Sequence, residues 1–238
     1  MSRTPRIVRR EQPLRSRLSI DAFRPRELFS MLRNYFGLGG ASRLGPIDSP
    51  EALAHFIETR ASYMAQTSLY GYLRTRMGMR YPELFDDDVF VVGINHAKWQ
   101  IWLDCVGDLS VYAGSRVAQT HPREANRVAS LMEGLVDEIV ARAGTPADAG
   151  PAFRDHAKQL RQRIARTHWM AIGDREAAFT ESPRSVLKWS PIADELKQLD
   201  EEIVLNSVRF HWQEIRRAFA RHADPDSILG LVDEASER

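Results

Sequence analysis

The chain of 238 residues carries 33 basic and 32 acidic side chains, 43% hydrophobic residues and a single cysteine. Its length and even composition favour one domain, and one cysteine excludes both an internal disulfide and a cysteine-rich zinc site. The longest apolar run, 89–92, falls far short of the about 20 residues of a membrane span. Because the first residues also lack a secretory apolar stretch, we expect a reducing, cytoplasmic location.

The first 33 residues are strongly basic. They hold nine arginines against three acidic residues, a net charge of +6 that leaves about −5 for the rest of the chain. Residues 1–18 contain two prolines and no apolar period, which is typical of a flexible arm. We therefore predict an arm at 1–18 and a single helical domain at 19–238. The arginines expected to contact an anionic surface are Arg3, Arg6, Arg9, Arg10, Arg15, Arg17, Arg24, Arg26 and Arg33.

Apolar patterns of helical period, separated by glycine and proline, continue through the remaining chain. Pro25 begins a predicted amphipathic helix that ends at Gly37. A second predicted helix begins with a capping sequence at Pro50 and runs to about Met77, where Gly78 ends it. Further helices are predicted over 89–118, 122–143, from 153 to near 173, 186–189, 192–199, 200–222 and 227–232. The sum is an all-α fold, an irregular bundle of about six to eight helices.

The sequence carries no recognisable catalytic motif. A serine elbow needs Gly-x-Ser-x-Gly, and the sequences around Ser42 and Ser115 lack that spacing. The glycines at 37–40 lack the lysine of a phosphate-binding loop, and no helix carries the Glu and His pair of a metal site. We therefore predict no cofactor and no metal site, and we lean towards a protein that is not an enzyme.

A polar series interrupts the apolar helix at 89–118. Its members, His96, Gln100, Asp104 and Asp108, lie four residues apart on one helix face. The outer two are about 18 Å apart along the axis, too far to share one metal ion. Two interpretations remain open: a solvent-facing or hydrogen-bonded side of a half-buried helix, or the lining of a ligand pocket.

Two segments resemble known helical proteins. Residues 69–78, followed by Tyr81-Pro82, and the segment 189–210 resemble an uncharacterised bacterial all-helical family, some of whose members are labelled esterase. More loosely, residues 65–219 are similar to the ubiquinol-cytochrome c chaperone family, through the order of Leu69-Tyr70, Tyr81-Pro82, a helix with His96 and a late helix with Trp212. That resemblance implies an assembly factor for a respiratory complex, although 95–99 reads Asn-His-Ala-Lys-Trp where the family has Leu-His-Val-Trp.

These observations predict a non-enzymatic helical adaptor or assembly factor. Its partner would be a protein, and the basic segment would add contact with the anionic surface of a membrane, the inner membrane surface in a bacterium. One alternative is a small-molecule-binding or hydrolytic enzyme that uses the polar series. A second is nucleic-acid binding through the arm, which the net negative charge of the remaining chain disfavours.

Overall fold

The structure is a computed structural model that describes residues 45–173 and 177–231. These residues belong to one compact unit that begins at Gly45. The predicted arm at 1–18, its arginines, the helix after Pro25 and the domain start at residue 19 all lie outside the described residues, so they stay predictions.

Helices dominate the described residues, and the all-α prediction is confirmed. In chain order they are α1 (Pro50–Met77), a 3-10 segment (Gly78–Asp86), α2 (Asp88–Thr120), a 3-10 turn (Pro122–Glu124), α3 (Ala125–Ala143), α4 (Phe153–Ala165), α5 (Glu181–Trp189), α6 (Asp194–His222) and α7 (Pro225–Ile228). Across 45–173 and 177–231, β pairing is limited to an isolated bridge between Ile47 and Ala223. None of the helices described there combines the length and apolar character that crossing a bilayer requires.

Local capping explains where α1 and α2 begin. The Ser49 hydroxyl accepts a hydrogen bond from the Ala52 N–H at 3.1 Å, and Pro50 occupies the first turn of α1. The Asp87 carboxylate accepts from the N–H groups of Val89 and Phe90 at the start of α2. The predicted bounds of α1 are confirmed, and α2 extends slightly beyond the predicted 89–118 at both ends.

Helix α2 lies at the centre of the bundle, where it packs against α1, α3, α4 and α5. Every residue from Cys105 to Ser115 is buried. Two glycines permit close approach: a Cβ on Gly107 would lie 2.8 Å from Leu160, and one on Gly114 would lie 2.4 Å from Trp169. Small residues on α2 therefore set how closely α4 and the segment after it approach the central helix.

Helix α6 covers the bundle from one side and contacts α5 and α1. Its inner residues Val204, Val208, Trp212, Ile215 and Phe219 are buried. The Phe219 ring lies 5.7 Å from Phe56 of α1 and 5.7 Å from Tyr112 of α2. This aromatic contact attaches α6 to the core over its second half.

The structure corrects several predicted boundaries in the second half of the chain. Helix α4 ends at Ala165 rather than near residue 173, because the following turn places Trp169 in the core against Gly114. The predicted helices at 192–199 and 200–222 are one helix, α6, whose acidic first turn is at Asp194 and Glu195. Helix α5 begins five residues before the predicted start at 186, since its cap comes from another helix.

Candidate functional site

The four residues of the polar series face protein. Gln100 and Asp108 are buried, with 1% and 0% of their surface exposed, and His96 and Asp104 are half-buried. Around them lie α4, the start of α5 and the linker between α3 and α4. Each residue makes its contacts with one or two of these elements.

His156 of α4 binds the middle of the series. The Gln100 side-chain amide donates to the Ala149 carbonyl at 3.2 Å, which leaves the Gln100 Oε1 facing His156 Nδ1 at 2.7 Å. The other ring nitrogen, Nε2, lies 2.8 Å from the Asp104 carboxylate. Both ring nitrogens of His156 therefore face side-chain oxygens of α2. The ring also stacks on Trp189 at 6.1 Å, so this contact joins α2, α4 and α5.

Asp108 caps α5 from the central helix. Its carboxylate accepts from the backbone N–H groups of Glu181 at 3.3 Å and Ser182 at 2.8 Å, which are free donors at a helix N-terminus. The Ser182 hydroxyl also donates to it, at 2.6 Å, and accepts from the Trp212 indole. A backbone cap normally comes from the residue just before the helix, and here the Thr180 side chain provides none.

Arg163 of α4 supplies the charge that balances Asp108. Its guanidinium lies 2.7 Å from the carboxylate and also donates to the Ala178 carbonyl. Complete burial raises the pKa of the Asp108 carboxyl above its ordinary value, while the charge of Arg163 and the hydrogen bonds from Ser182 oppose that rise. Three helices, α2, α4 and α5, thus meet at one buried carboxylate.

The linker between α3 and α4 covers the N-terminal end of the series. Gly150 has a positive φ of 75°, and a Cβ on it would lie 2.8 Å from the His96 ring. Asp148, two residues before Gly150, accepts a hydrogen bond from the Trp99 indole at 2.8 Å and lies 3.3 Å from the Lys98 ammonium. The linker is therefore held on α2 by both packing and charge.

The residues of this cluster have a structural role, because they join α2 to α4, α5 and the α3–α4 linker. Its carboxylates, amide and imidazole are engaged with one another or with backbone groups of the described chain. Two surface depressions of about 210 and 260 Å³ are lined by residues outside the polar series. No group of three or more histidine, cysteine, aspartate or glutamate side chains within 45–173 and 177–231 is placed to hold a metal ion. The geometry matches the hydrogen-bonded interpretation of the series, and a pocket lined by it stays a prediction.

Side chains that could act as nucleophiles are buried or lie outside the described residues. Ser115 is 2% exposed, and Ser42 falls in the part of the chain that is not described. Cys105 is buried, and burial raises the pKa of its thiol well above the ordinary value.

Sequence reasoning missed the partners of the polar series. His156, Arg163 and Ser182 showed no local pattern that marked them. The available signal was indirect: a carboxylate such as Asp108 in the middle of an apolar helix requires a cationic or hydrogen-bonding partner from elsewhere in the fold.

A second feature, on α6, faces outward. Its apolar residues Leu199, Ile203 and Phe210 are 75%, 73% and 64% exposed, and Leu196 is 36% exposed. Together these four residues form what we call the α6 apolar face, because their spacing places them on one side of the helix. Apolar periodicity predicts that Ile203 shares the inner face of this helix with Val204 and Val208, and its 73% exposure shows that this prediction is wrong.

Comparison with known proteins found no match for this chain. No protein-family model matches the chain, and neither a curated protein nor a solved structure matches it significantly.

Proposed function

We propose that this chain is a non-enzymatic helical adaptor or assembly factor that binds a helix of a protein partner through the α6 apolar face. The observation that carries the proposal is the exposure of Leu199, Ile203 and Phe210 at regular helical spacing. Single exposed apolar residues are ordinary, whereas an apolar series along one helix marks an interaction surface. A helix with such a series binds by laying it against another apolar stripe.

The division of labour between the helices supports the same proposal. The polar series of α2 contacts α4, α5 and the α3–α4 linker. Helix α6 keeps its inner side in the core through Trp212 and Phe219 and leaves the α6 apolar face to solvent. A helical bundle that presents the α6 apolar face to solvent is suited to binding a partner helix.

Photo-cross-linking tests this surface directly. A photoreactive amino acid at position 203, in the full chain expressed in its native cells, is expected to give a discrete protein adduct on illumination. The matched control places the same group at Met170, which is 47% exposed but lies outside α6. The adduct at 203 should disappear when Phe210→Asp is added. Equal labelling at both positions, or none at 203, would contradict the proposal.

The basic N-terminal segment supports a further element of the proposal, contact with an anionic membrane surface. Residues 1–33 combine a net charge of +6 with Phe23, Phe29 and Leu32. Each basic residue near an anionic surface contributes about 1 kcal/mol, and aromatic side chains enter the interface. The assembly-factor resemblance also involves a membrane complex, which fits such a location.

Co-sedimentation with vesicles tests the membrane contact. Full-length protein is expected to pellet with vesicles of anionic lipid at about 0.1 M salt, where charges act over roughly 10 Å. Deletion of 1–18 should lower that binding and leave the helical circular-dichroism signal unchanged. Full-length protein that stays in the supernatant would remove the membrane element and leave the adaptor proposal standing.

A further inference from the structure

The α6 apolar face has the spacing of a helix that pairs with another helix. Leu196, Leu199, Ile203 and Phe210 are separated by three, four and seven residues, which are the intervals between the two apolar positions of a heptad repeat. Asn206, also exposed, occupies the intermediate position between Ile203 and Phe210.

Charges on α6 are separated by sign along its length. The first half, 194–202, holds five acidic residues and one lysine, and the second half, 209–221, holds four arginines and one glutamate. A parallel partner with the same distribution would place like charges together. An antiparallel copy places the acidic half of each helix beside the basic half of the other. The surface is therefore electrostatically complementary to itself in one orientation only.

We propose that the α6 apolar face binds the same face of a second copy of this chain, with the two α6 helices antiparallel around a two-fold axis. The inference rests on the proposed function, since it names the occupant of the same surface. In an antiparallel heptad register Phe210 packs on the partner's Leu199, and Ile203 packs on the partner's Asn206. The two-fold axis then passes between residues 204 and 205, and each contact occurs twice.

This register places one charged pair beside the apolar contacts. Glu202 flanks the partner's Arg209, and by symmetry Arg209 flanks the partner's Glu202. Glu202 is exposed and Arg209 is partly exposed. Within the described part of the chain neither one forms an ion pair, so both are available to a second copy. The opposite charges select the antiparallel orientation.

Charge reversal at these two positions gives a sharp test. Full-length wild-type protein is expected to have twice the 27.1 kDa chain mass by sedimentation velocity and light scattering. Glu202→Arg alone sets arginine against arginine at both symmetric contacts, and Arg209→Glu alone sets glutamate against glutamate. Each single variant should dimerise at least about tenfold more weakly. An equimolar mixture of the two restores both attractive pairs, so it should regain the wild-type mass.

A matched control is Glu133→Arg, an exposed glutamate on α3, which should leave the dimer intact. Circular dichroism of every variant confirms that the chain is folded. The inference is overturned if the wild type sediments as a single chain up to its highest soluble concentration, or if mixing the two variants restores nothing. A single-chain wild type that still gives a heterologous adduct from position 203 would overturn the second copy and keep the proposed function. No adduct of either kind would remove both.

Discussion

Removal of the Asp108 carboxylate tests the most connected contact in the bundle. Asp108→Ala takes away the acceptor of two backbone N–H groups at the start of α5, of the Ser182 hydroxyl and of the Arg163 guanidinium. Alanine fits the helical position without steric conflict. The change therefore acts through lost partners and a small void rather than through a clash.

The expected loss is about 3 kcal/mol in the free energy of unfolding. Removing one partner of a buried ion pair costs about 3–5 kcal/mol, because the other charge is left uncompensated. The Arg163 side chain is 26% exposed and can reach water, which places the cost at the lower end of that range. The N–H groups at the start of α5 lose a cap, an effect of about 1 kcal/mol that lies within the same estimate.

Urea unfolding followed by far-ultraviolet circular dichroism measures this loss. At a slope of about 3 kcal/mol per molar urea, the midpoint should fall by about 1 M with the slope unchanged. The control is Asp137→Ala, which breaks an ion pair with Arg161 whose side chains are 61% and 42% exposed and should cost under about 1 kcal/mol. If Asp108→Ala lowers the free energy of unfolding no more than Asp137→Ala does, the Asp108 contacts do not hold the three helices together.

Three further outcomes follow from the described geometry. The raised pKa of Asp108 means that the folded state binds the carboxyl proton more tightly than the unfolded state does. The free energy of unfolding of wild type, relative to that of Asp108→Asn, should therefore fall as pH rises above 3.8 and become constant above the folded pKa. Urea titrations at successive pH values measure this difference. The Cys105 thiol, buried and with a raised pKa, should resist Ellman's reagent in the native protein and react fully in guanidinium chloride. Gly150→Ala should cost about 2 kcal/mol, since a Cβ there meets His96 at positive φ, whereas Gly134→Ala, in α3 with open space around it, should gain about 0.5–1 kcal/mol by the same urea assay.

Elements that end on local chemical signals were predictable from the sequence. Helix α1 is the clearest example, because the Ser49 cap, Pro50 and Gly78 are all neighbours of its ends. Gly144, with a positive φ of 65°, ends α3 in the same way. These signals depend on a few adjacent residues, so no tertiary information is needed to interpret them.

Elements whose ends depend on another helix were not predictable in the same way. The N-terminus of α5 is satisfied by Asp108, 74 residues earlier in the chain than Ser182. His156 meets Asp104 across 52 residues and Gln100 across 56. The α2 side of these contacts was predictable, since a polar series stands out in an apolar helix. The other side was not, because the charged residues of a polar helix such as α4 are indistinguishable until the helix is packed against its neighbours.

The polar series of α2 and the α6 apolar face are expected to have different roles, stability for the first and partner binding for the second. The reason is that the bundle covers much more of α2 than of α6. Of the 33 residues of α2, 20 are buried, against 5 of the 29 in α6. On the covered helix the buried Asp108 and Gln100 have partners inside the protein, whereas apolar residues on the outer side of α6 are left to solvent. Asp108→Ala should therefore lower stability and leave the cross-link at position 203 intact. Phe210→Asp should abolish that cross-link and, at protein concentrations where both chains are monomeric, change the free energy of unfolding by under about 0.5 kcal/mol. If Phe210→Asp destabilises the monomeric chain as much as Asp108→Ala does, the α6 apolar face packs within the chain and is not a surface for a partner.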